Sequence, residues 1–366
     1  MKEKSIIERV VFILLLLGLT IAFLVIGKEI LIPLTVAVFF TFLLLPLSQK
    51  MESWRIPRSL AIFISIVLAI AVFGALIYFF YAQVVSFADD WPELKENLNT
   101  KLEAMQAFIR EKFNISNKDQ MTWVSMKMNE TAKSGDEIVM GVFSATGAFL
   151  ANLALIPIYI FFITYYRDKF RKVIHLSVEG DRGDKIIEVI RKVSNVSQMY
   201  LKGIFLDVLI LSVLNSTGFI ILGIPHAILF GVLASILNII PYIGVLIGSI
   251  LPVAMALLTK DEIGYAIGVA GVCVFVQFLD NNFITPYVVG SSVSINPLTS
   301  MIALVSSAMI WGLPGMVLSI PLTGMLKVVC DNIEGMKHIG FLLGEEVDFQ
   351  ERRQRNTRML KRLRGK

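Results

Sequence analysis

Ala227–Leu258 reads AILFGVLASILNIIPYIGVLIGSILPVAMALL, 32 residues without one charged side chain. As one straight helix it would be about 48 Å long, against about 30 Å of bilayer hydrocarbon. It is interrupted near its middle by Asn238-Ile-Ile-Pro241-Tyr242-Ile-Gly244, with Gly248 and Pro252 beyond. A second stretch, Leu298–Lys327, reads LTSMIALVSSAMIWGLPGMVLSIPLTGMLK and breaks at Gly312-Leu-Pro314-Gly315, with Pro321 beyond. Each follows a simple apolar span, 204–222 and 264–278, and each opens at a proline, Pro225 or Pro297. Each breaks 16 or 17 residues after that proline, at Pro241 or Pro314. The match is a weak internal repeat. A break frees backbone N–H and C=O groups at membrane depth, and lipid cannot satisfy them. Paired, Gly/Pro-interrupted apolar segments therefore point to a transport site. Two architectures fit: a kinked helix crossing once, or a helical hairpin. The central position of the breaks favours hairpins, inverted relative to one another. The plainer alternative is a pair of kinks that let helices pack closely.

The rest of the chain agrees with a membrane setting. Of its 366 residues, 55% are hydrophobic and only 17% charged, against about a quarter charged in soluble domains. Further apolar runs cover 10–26, 30–47, 60–81 and 147–166. The 10–26 run follows Lys2, Lys4 and Arg9 but has no small-residue cleavage site after it, so it reads as an uncleaved span. The expected fold class is all-α: a polytopic transmembrane bundle of about eight apolar segments, two of them interrupted or re-entrant, plus an extramembrane helical insertion. The chain divides into 1–83 (N-terminal spans), 84–146 (the insertion), 147–203 (fourth span and basic loop), 204–328 (transport core) and 329–366 (basic tail).

Charge sets the orientation. Lys and Arg number three before the first span, three in 48–59, nine in 167–203 and eight from Arg352 onward. The positive-inside rule places all four regions in the cytoplasm, with both termini there and the insertion outside. The net charge of +5 is thus explained by topology and anionic lipid, and no nucleic-acid partner is expected. In the insertion, Leu94, Leu98, Leu102, Met105, Ile109 and Phe113 form one apolar stripe on a helix. That stripe suggests association, and a homo-oligomer is the expectation drawn from it.

Several motifs resemble the autoinducer-2 exporter family of bacterial membrane permeases. They are Tyr200-Leu-Lys-Gly203, Leu222-Gly-Ile-Pro225, the Asn238–Gly244 stretch, Gln277-Phe-Leu-Asp280-Asn281-Asn282, Pro286-Tyr-Val-Val-Gly290, Ile295-Asn296-Pro297-Leu298 and Trp311-Gly312-Leu-Pro314-Gly315. The resemblance runs over essentially the whole chain and is strongest over 200–328. It implies a transporter of the bacterial inner membrane. Assigned activities in the family are export of autoinducer-2, a small polar furanosyl signal, and sodium or lithium/proton antiport. Here position 296 is Asn where the family often has His, and position 280 is Asp where Glu is frequent.

Intramembrane acids are costly, roughly 2.5–3.5 kcal/mol at mid-bilayer, and mark function by default. Residues 204–259 hold one charged residue, Asp207, and residues 263–326 hold one, Asp280. Asp280 with Gln277, Asn281 and Asn282 offers a carboxylate among amides, suited to a cation or a polyol. Asp280 and Asp207 are the candidates for ion or proton coupling. The expected substrate pathway adds Asn238, Pro241, Tyr242, Gly244, Pro286, Gly290, Asn296, Pro297, Gly312, Pro314 and Gly315. For Asp207 a simple reach to the interface is an equal reading, and for Asp280 a capping role is the bland one. Cys273 and Cys330 lie in apolar surroundings and the three histidines are scattered, so no metal or other cofactor is expected. No nucleophile–base pair or phosphate loop is visible, and the chain does not read as an enzyme. The leading function is export of a small polar solute. Cation/proton antiport is the first alternative, and a non-transporting scaffold acting through the insertion is the second.

Overall fold

A computed structural model describes residues 6–97, 99–101, 103, 154–178, 182–240, 243–289 and 295–345. Every regular element among them is helical. Helix α1 (Ile6–Ile26) turns at Gly27 into α2 (Lys28–Ser53), and α3 (Arg58–Asp89) starts after Pro57. The span starts earlier than expected, so Pro33 is the sixth residue of α2 and, like Pro46, lies inside the helix, where each leaves the carbonyl four residues back without its helical partner. Beyond the insertion come α4 (Leu155–Tyr165) and α5 (Arg167–Ser177), parted by a bend at Tyr166 with ψ 11°. Small and β-branched residues let α2, α3 and α4 close on one another through Ala37, Ile62, Ile66 and Ile160. Ion pairs fasten one end of this group. Arg167 grips Glu52 with both guanidinium nitrogens at 2.9 and 2.5 Å, and Arg58 bonds Asp168 at 2.6 Å.

Helix α6 (Arg182–Ile221) is 40 residues long. The expected cytoplasmic helix and the following span are therefore one rod, and the 203/204 boundary falls inside it. Gly203 does not break the helix; it lets α6 lie against the backbone of Val288 and Val289.

The first interrupted segment is α7 (Ala227–Leu237) and α8 (Ile243–Thr259). These two arms double back on each other. Gly248 of α8 faces the Cα of Ala234 of α7, with no room for a side chain between them. The mouths of both arms are tied to the same stretch of chain beyond α3. Asp90 pairs with His226 at 3.1 Å, and Lys101 reaches Asp261 at 2.8 Å and the Lys260 carbonyl at 2.9 Å. Leu94 and Trp91 complete a core with Phe219, Phe230, Met255 and Val269. Helix α9 (Ile263–Leu279) runs back alongside, passes through a π-turn at Asp280–Ile284, and ends in the short α10 (Thr285–Val288).

The second interrupted segment is α11 (Pro297–Asn332), which breaks at Gly312 with φ 62° and ψ −139°. That backbone is open to glycine and strained for other residues. The chain reverses there, because Gly315 packs on the backbone of Ser307, eight residues earlier in the sequence. Both ends of α11 meet α12 (Lys337–Leu343): Asn296 bonds the carbonyls of Leu342 and Gly344, and Gly340 packs on Asp331.

Among the described residues, five stretches are long and apolar enough to cross a membrane by length and composition alone: Lys28–Ser53, Arg58–Asp89, Gly183–Ile221, Ile263–Val288 and Pro297–Asn332, the last of them broken at Gly312. Shorter apolar helices are Leu14–Ile26, Leu155–Tyr165, Ala227–Leu237 and Gly244–Thr259. The arms α7 and α8 are each too short to cross alone, and part of the expected 147–166 span lies outside the described residues.

Candidate functional site

The site forms where the tip of the first hairpin meets the end of α9. Asn238 caps α7, and its Nδ2 donates to Asp280 Oδ2 at 2.9 Å. Gln277, one turn before Asp280 on α9, donates to the same oxygen at 3.3 Å and to Asn281 Oδ1 at 3.0 Å. Thr285 Oγ1 donates to Asp280 Oδ1 at 2.6 Å. The π-turn explains that last contact. The Thr285 N–H bonds the Asp280 carbonyl, five residues back, and wider turns of this kind recur at functional sites.

Asp280 is 3% exposed and Asp207 of α6 is 8% exposed. Their side chains meet, and Asp207 Oδ1 has no hydrogen-bond partner. Two buried carboxyl groups this close repel when both are charged, and the donors Asn238, Gln277 and Thr285 offset part of that cost at Asp280. Asp280 stands at the C-cap of α9 and also accepts from Thr285 in the segment that follows. Beside them lies a cavity of about 30 Å³ edged by Asn215, Ser235, Asn238, Ser249 and Gln277. It is room for one or two water-sized groups, and Leu211, Val245, Cys273 and Val276 give the rest of its wall an apolar character. Asn215 donates to Ser235 Oγ at a long 3.4 Å.

The expected pathway residues divide. Asn238, Gln277, Asp280, Asn281 and Asp207 come together. Asn282 is exposed and bonds back to the Phe278 carbonyl at 2.8 Å, and Pro286 lies in the first turn of α10. Gly244 opens α8 and abuts the Leu237 backbone, closing the hairpin tip. Pro241, Tyr242 and Gly290 lie outside the described residues. Asn296, Pro297, Gly312, Pro314 and Gly315 belong to the second hairpin, whose main neighbours are α6, α12, α1 and α2. Asn296 is committed to structure there, capping α11 by accepting from the Thr299 N–H at 2.8 Å and bonding two carbonyls near α12. Gly312 and Gly315 form the tip of that hairpin, where Trp311 reaches α1.

Thr285 and Ser235 are the site residues that sequence reasoning did not find. A Thr five residues after an Asp has no place in a 3.6-residue pattern, and Ser235 carries no signal within an apolar run. Among the described residues no cluster of His, Cys, Asp and Glu is arranged to hold a metal ion.

Several bilayer-length apolar helices and a buried polar cluster where the first reversal meets α9 define a multi-pass membrane protein of transporter type. The chain belongs to the AI-2E family of transporters, whose family model matches residues 10–335. It is 26% identical to the "Putative transport protein YrrI" of Bacillus subtilis over 312 residues, covering 82% of this chain and 86% of the relative. It is 25% identical to the B. subtilis "Putative transport protein YueF" over 327 residues, 85% and 86% of the two chains. The "AI-2 transport protein TqsA" of Escherichia coli K12 is 22% identical over 342 residues, 93% of this chain and 96% of the relative.

Proposed function

We propose that this protein is a secondary transporter that exports a small polar organic solute, of the autoinducer-2 kind, across the bacterial inner membrane. The observation that carries the reading is the contact of Asn238 with Asp280. It joins a hairpin tip, a structure able to move, to the buried acid pair. A solute bearing several hydroxyls can exchange its hydrogen bonds for those of Asn238, Gln277 and Asn281. In this reading α7–α8 and the two halves of α11 are re-entrant hairpins entering from opposite faces, and both termini are cytoplasmic. The basic residues of 167–202 at one end, and the Asp90–His226 tie at the other, support that orientation.

The acid pair specifically favours a second reading, sodium or lithium/proton antiport, because a cation or proton would relieve the repulsion of Asp207 beside Asp280. Proteoliposomes loaded with labelled solute, and separately with a pH dye and sodium, divide the two. Solute flux that is lost in Asp280→Asn, without sodium–proton exchange in the wild type, supports the exporter. Sodium–proton exchange lost in Asp280→Asn, with no solute flux, supports the antiporter. Either flux surviving Asp280→Asn undiminished removes the site from that reading.

A further inference from the structure

Helix α5, Arg167–Ser177, has no buried residue on it. Its apolar side chains Phe170, Val173 and Leu176 are 55%, 52% and 87% exposed. At about 100° per residue, Phe170, Val173, Ile174 and Ser177 share one sector, and Asp168, Arg171, Lys172 and His175 share the opposite one. Arg167 stands at one border, and Lys169 and Leu176 at the other. This arrangement belongs to a helix lying in the plane of a membrane surface, its border cations reaching to headgroups while its apolar sector enters the acyl boundary.

Two independent features point to lipid as the occupant. The first is position. Helix α5 follows α4 directly, at the exposed, edge-to-face pair Tyr165–Tyr166 with ring centroids 5.2 Å apart, and exposed tyrosines at the end of an apolar helix mark the bilayer boundary. The second is charge. The helix has four Lys/Arg and one acid, and that acid, Asp168, is already paired with Arg58 while Arg167 is paired with Glu52. Lys169 lies 5.7 Å over the ring of Tyr166. Among the described residues no carboxylate bridges Lys169, Arg171 or Lys172, so three cations face outward beside an exposed apolar strip. A protein partner would instead favour a patch poor in lysine at its core.

We propose that α5 docks on the anionic lipid of the cytoplasmic leaflet, with Phe170 and Val173 among acyl chains, Lys169 reaching phosphate headgroups from the border, and Arg171 and Lys172 adding long-range attraction from the outer face. The inference rests on the cytoplasmic placement of this end of the protein, not on what the protein carries. Through Arg167–Glu52 and Arg58–Asp168, the docked helix holds the loop between α2 and α3 at the membrane surface.

The test uses the full chain with Cys273 and Cys330 replaced by alanine. An environment-sensitive fluorophore is attached to Val173→Cys in one sample and to His175→Cys in another. Both are placed in nanodiscs of pure phosphatidylcholine or of three parts phosphatidylcholine to one part phosphatidylglycerol, with doxyl lipid as quencher. The expected result is lipid quenching at 173 at least threefold stronger in the anionic discs, weak quenching at 175 in both, and loss of the anionic effect in Lys169→Gln/Arg171→Gln/Lys172→Gln or in high salt. Equal, weak quenching at 173 in both discs overturns the proposal, since the helix then stands in water. Shielding of 173 from water without lipid quenching also overturns it, since a protein then covers the face. Elution of each variant as wild type shows that folding is intact, and loss of transport is not a readout. Failure of the solute or antiport assays therefore leaves this result standing on its own.

Discussion

The indole N–H of Trp311, at the tip of the second hairpin, donates to the main-chain carbonyl of Leu24 in α1 at 3.0 Å. The residues are 287 positions apart, and the bond joins the first helix to the last interrupted segment. Among the described helices, α1 meets mainly α2 and α11. Trp311→Phe keeps the ring and removes the donor. A lost hydrogen bond of this kind costs about 0.5–1.5 kcal/mol, and the Leu24 carbonyl is left with one partner fewer. Thermal unfolding of the detergent-purified protein is expected to shift down by a few degrees. An unchanged midpoint means that α1 does not hold the hairpin.

Gly312 gives a second test of that tip. Its φ of 62° and ψ of −139° lie where an L side chain is strained by about 1–3 kcal/mol. The space around its missing Cβ is open, so the strain is purely conformational. Gly312→Ala and Gly312→Val should therefore destabilise. Equal stability of Gly312→Ala and wild type in a denaturation assay contradicts the reversal of the chain at this residue.

Gly231 of α7 and Ser216 of α6 provide the sharpest contrast. A Cβ on Gly231 would stand 2.8 Å from the Ser216 Cα, and backbone cannot step aside as a flexible side chain can. Gly231→Val should cost more than about 2 kcal/mol, the range of overpacking. The Ser216 hydroxyl is buried without a partner, so Ser216→Ala should be neutral or mildly stabilising. Opposite signs for the two variants in one melting series support the α6–α7 contact.

The acid site predicts a transport defect without a folding defect. Asn238→Ala removes a donor to Asp280 while leaving Gln277 and Thr285 in place. Flux in proteoliposomes is expected to fall about tenfold, corresponding to about 1.4 kcal/mol of transition-state or binding energy. Elution as a single folded species, with flux unaltered, removes Asn238 from the site.

The ionic end of α2–α4 carries a pH signature. Burial alone would lift Asp168 from its ordinary 3.8, but the Arg58 hydrogen bond and the fields of Arg58, Arg167 and Arg171 outweigh it and hold the carboxyl lower. A depressed acid stabilises the fold above its ordinary range and loses that contribution as the pH falls through the lowered value. The side chain is 57% exposed, so the pair is worth at most about 1 kcal/mol. Asp168→Asn should lower stability by a constant amount between about pH 5 and 8, and the difference from wild type should shrink only below the ordinary carboxylate range. A difference that grows on acidification contradicts the pairing.

Much of this architecture was legible in the sequence because lipid forbids most alternatives. The breaks at Asn238–Gly244 and Gly312–Gly315 announced two interrupted segments, since apolar helices of that length cannot fit a bilayer straight. Apolar runs marked α9 to within one residue at each end and the starts of α2 and α3 to within two, but α2 and α3 continue six and eight residues past the expected ends, into polar sequence. The direction of the chain after each break was not legible: proline and glycine open a helix but do not say whether it bends or reverses. That choice rests on Gly248 against Ala234 and Gly315 against Ser307, contacts between residues with no shared pattern. Asp207 and Asp280 stood out as isolated acids, but their meeting depends on α6 and α9 lying side by side. Thr285 depended on a π-turn that no 3.6-residue rule anticipates. The hairpins also do not frame one common chamber, because the second belongs with α1 and α12.

The unbroken length of α6 makes it a pointer attached to the site. Asp207 and Lys185 share one uninterrupted rod, about 33 Å apart at helical rise. A tilt of only 10° at the acid pair would sweep the far end through about 6 Å, by simple leverage on that rise. The far end of α6 would then announce events at the acid pair, and a spin label on exposed Lys185→Cys would be a gauge already mounted on the moving part.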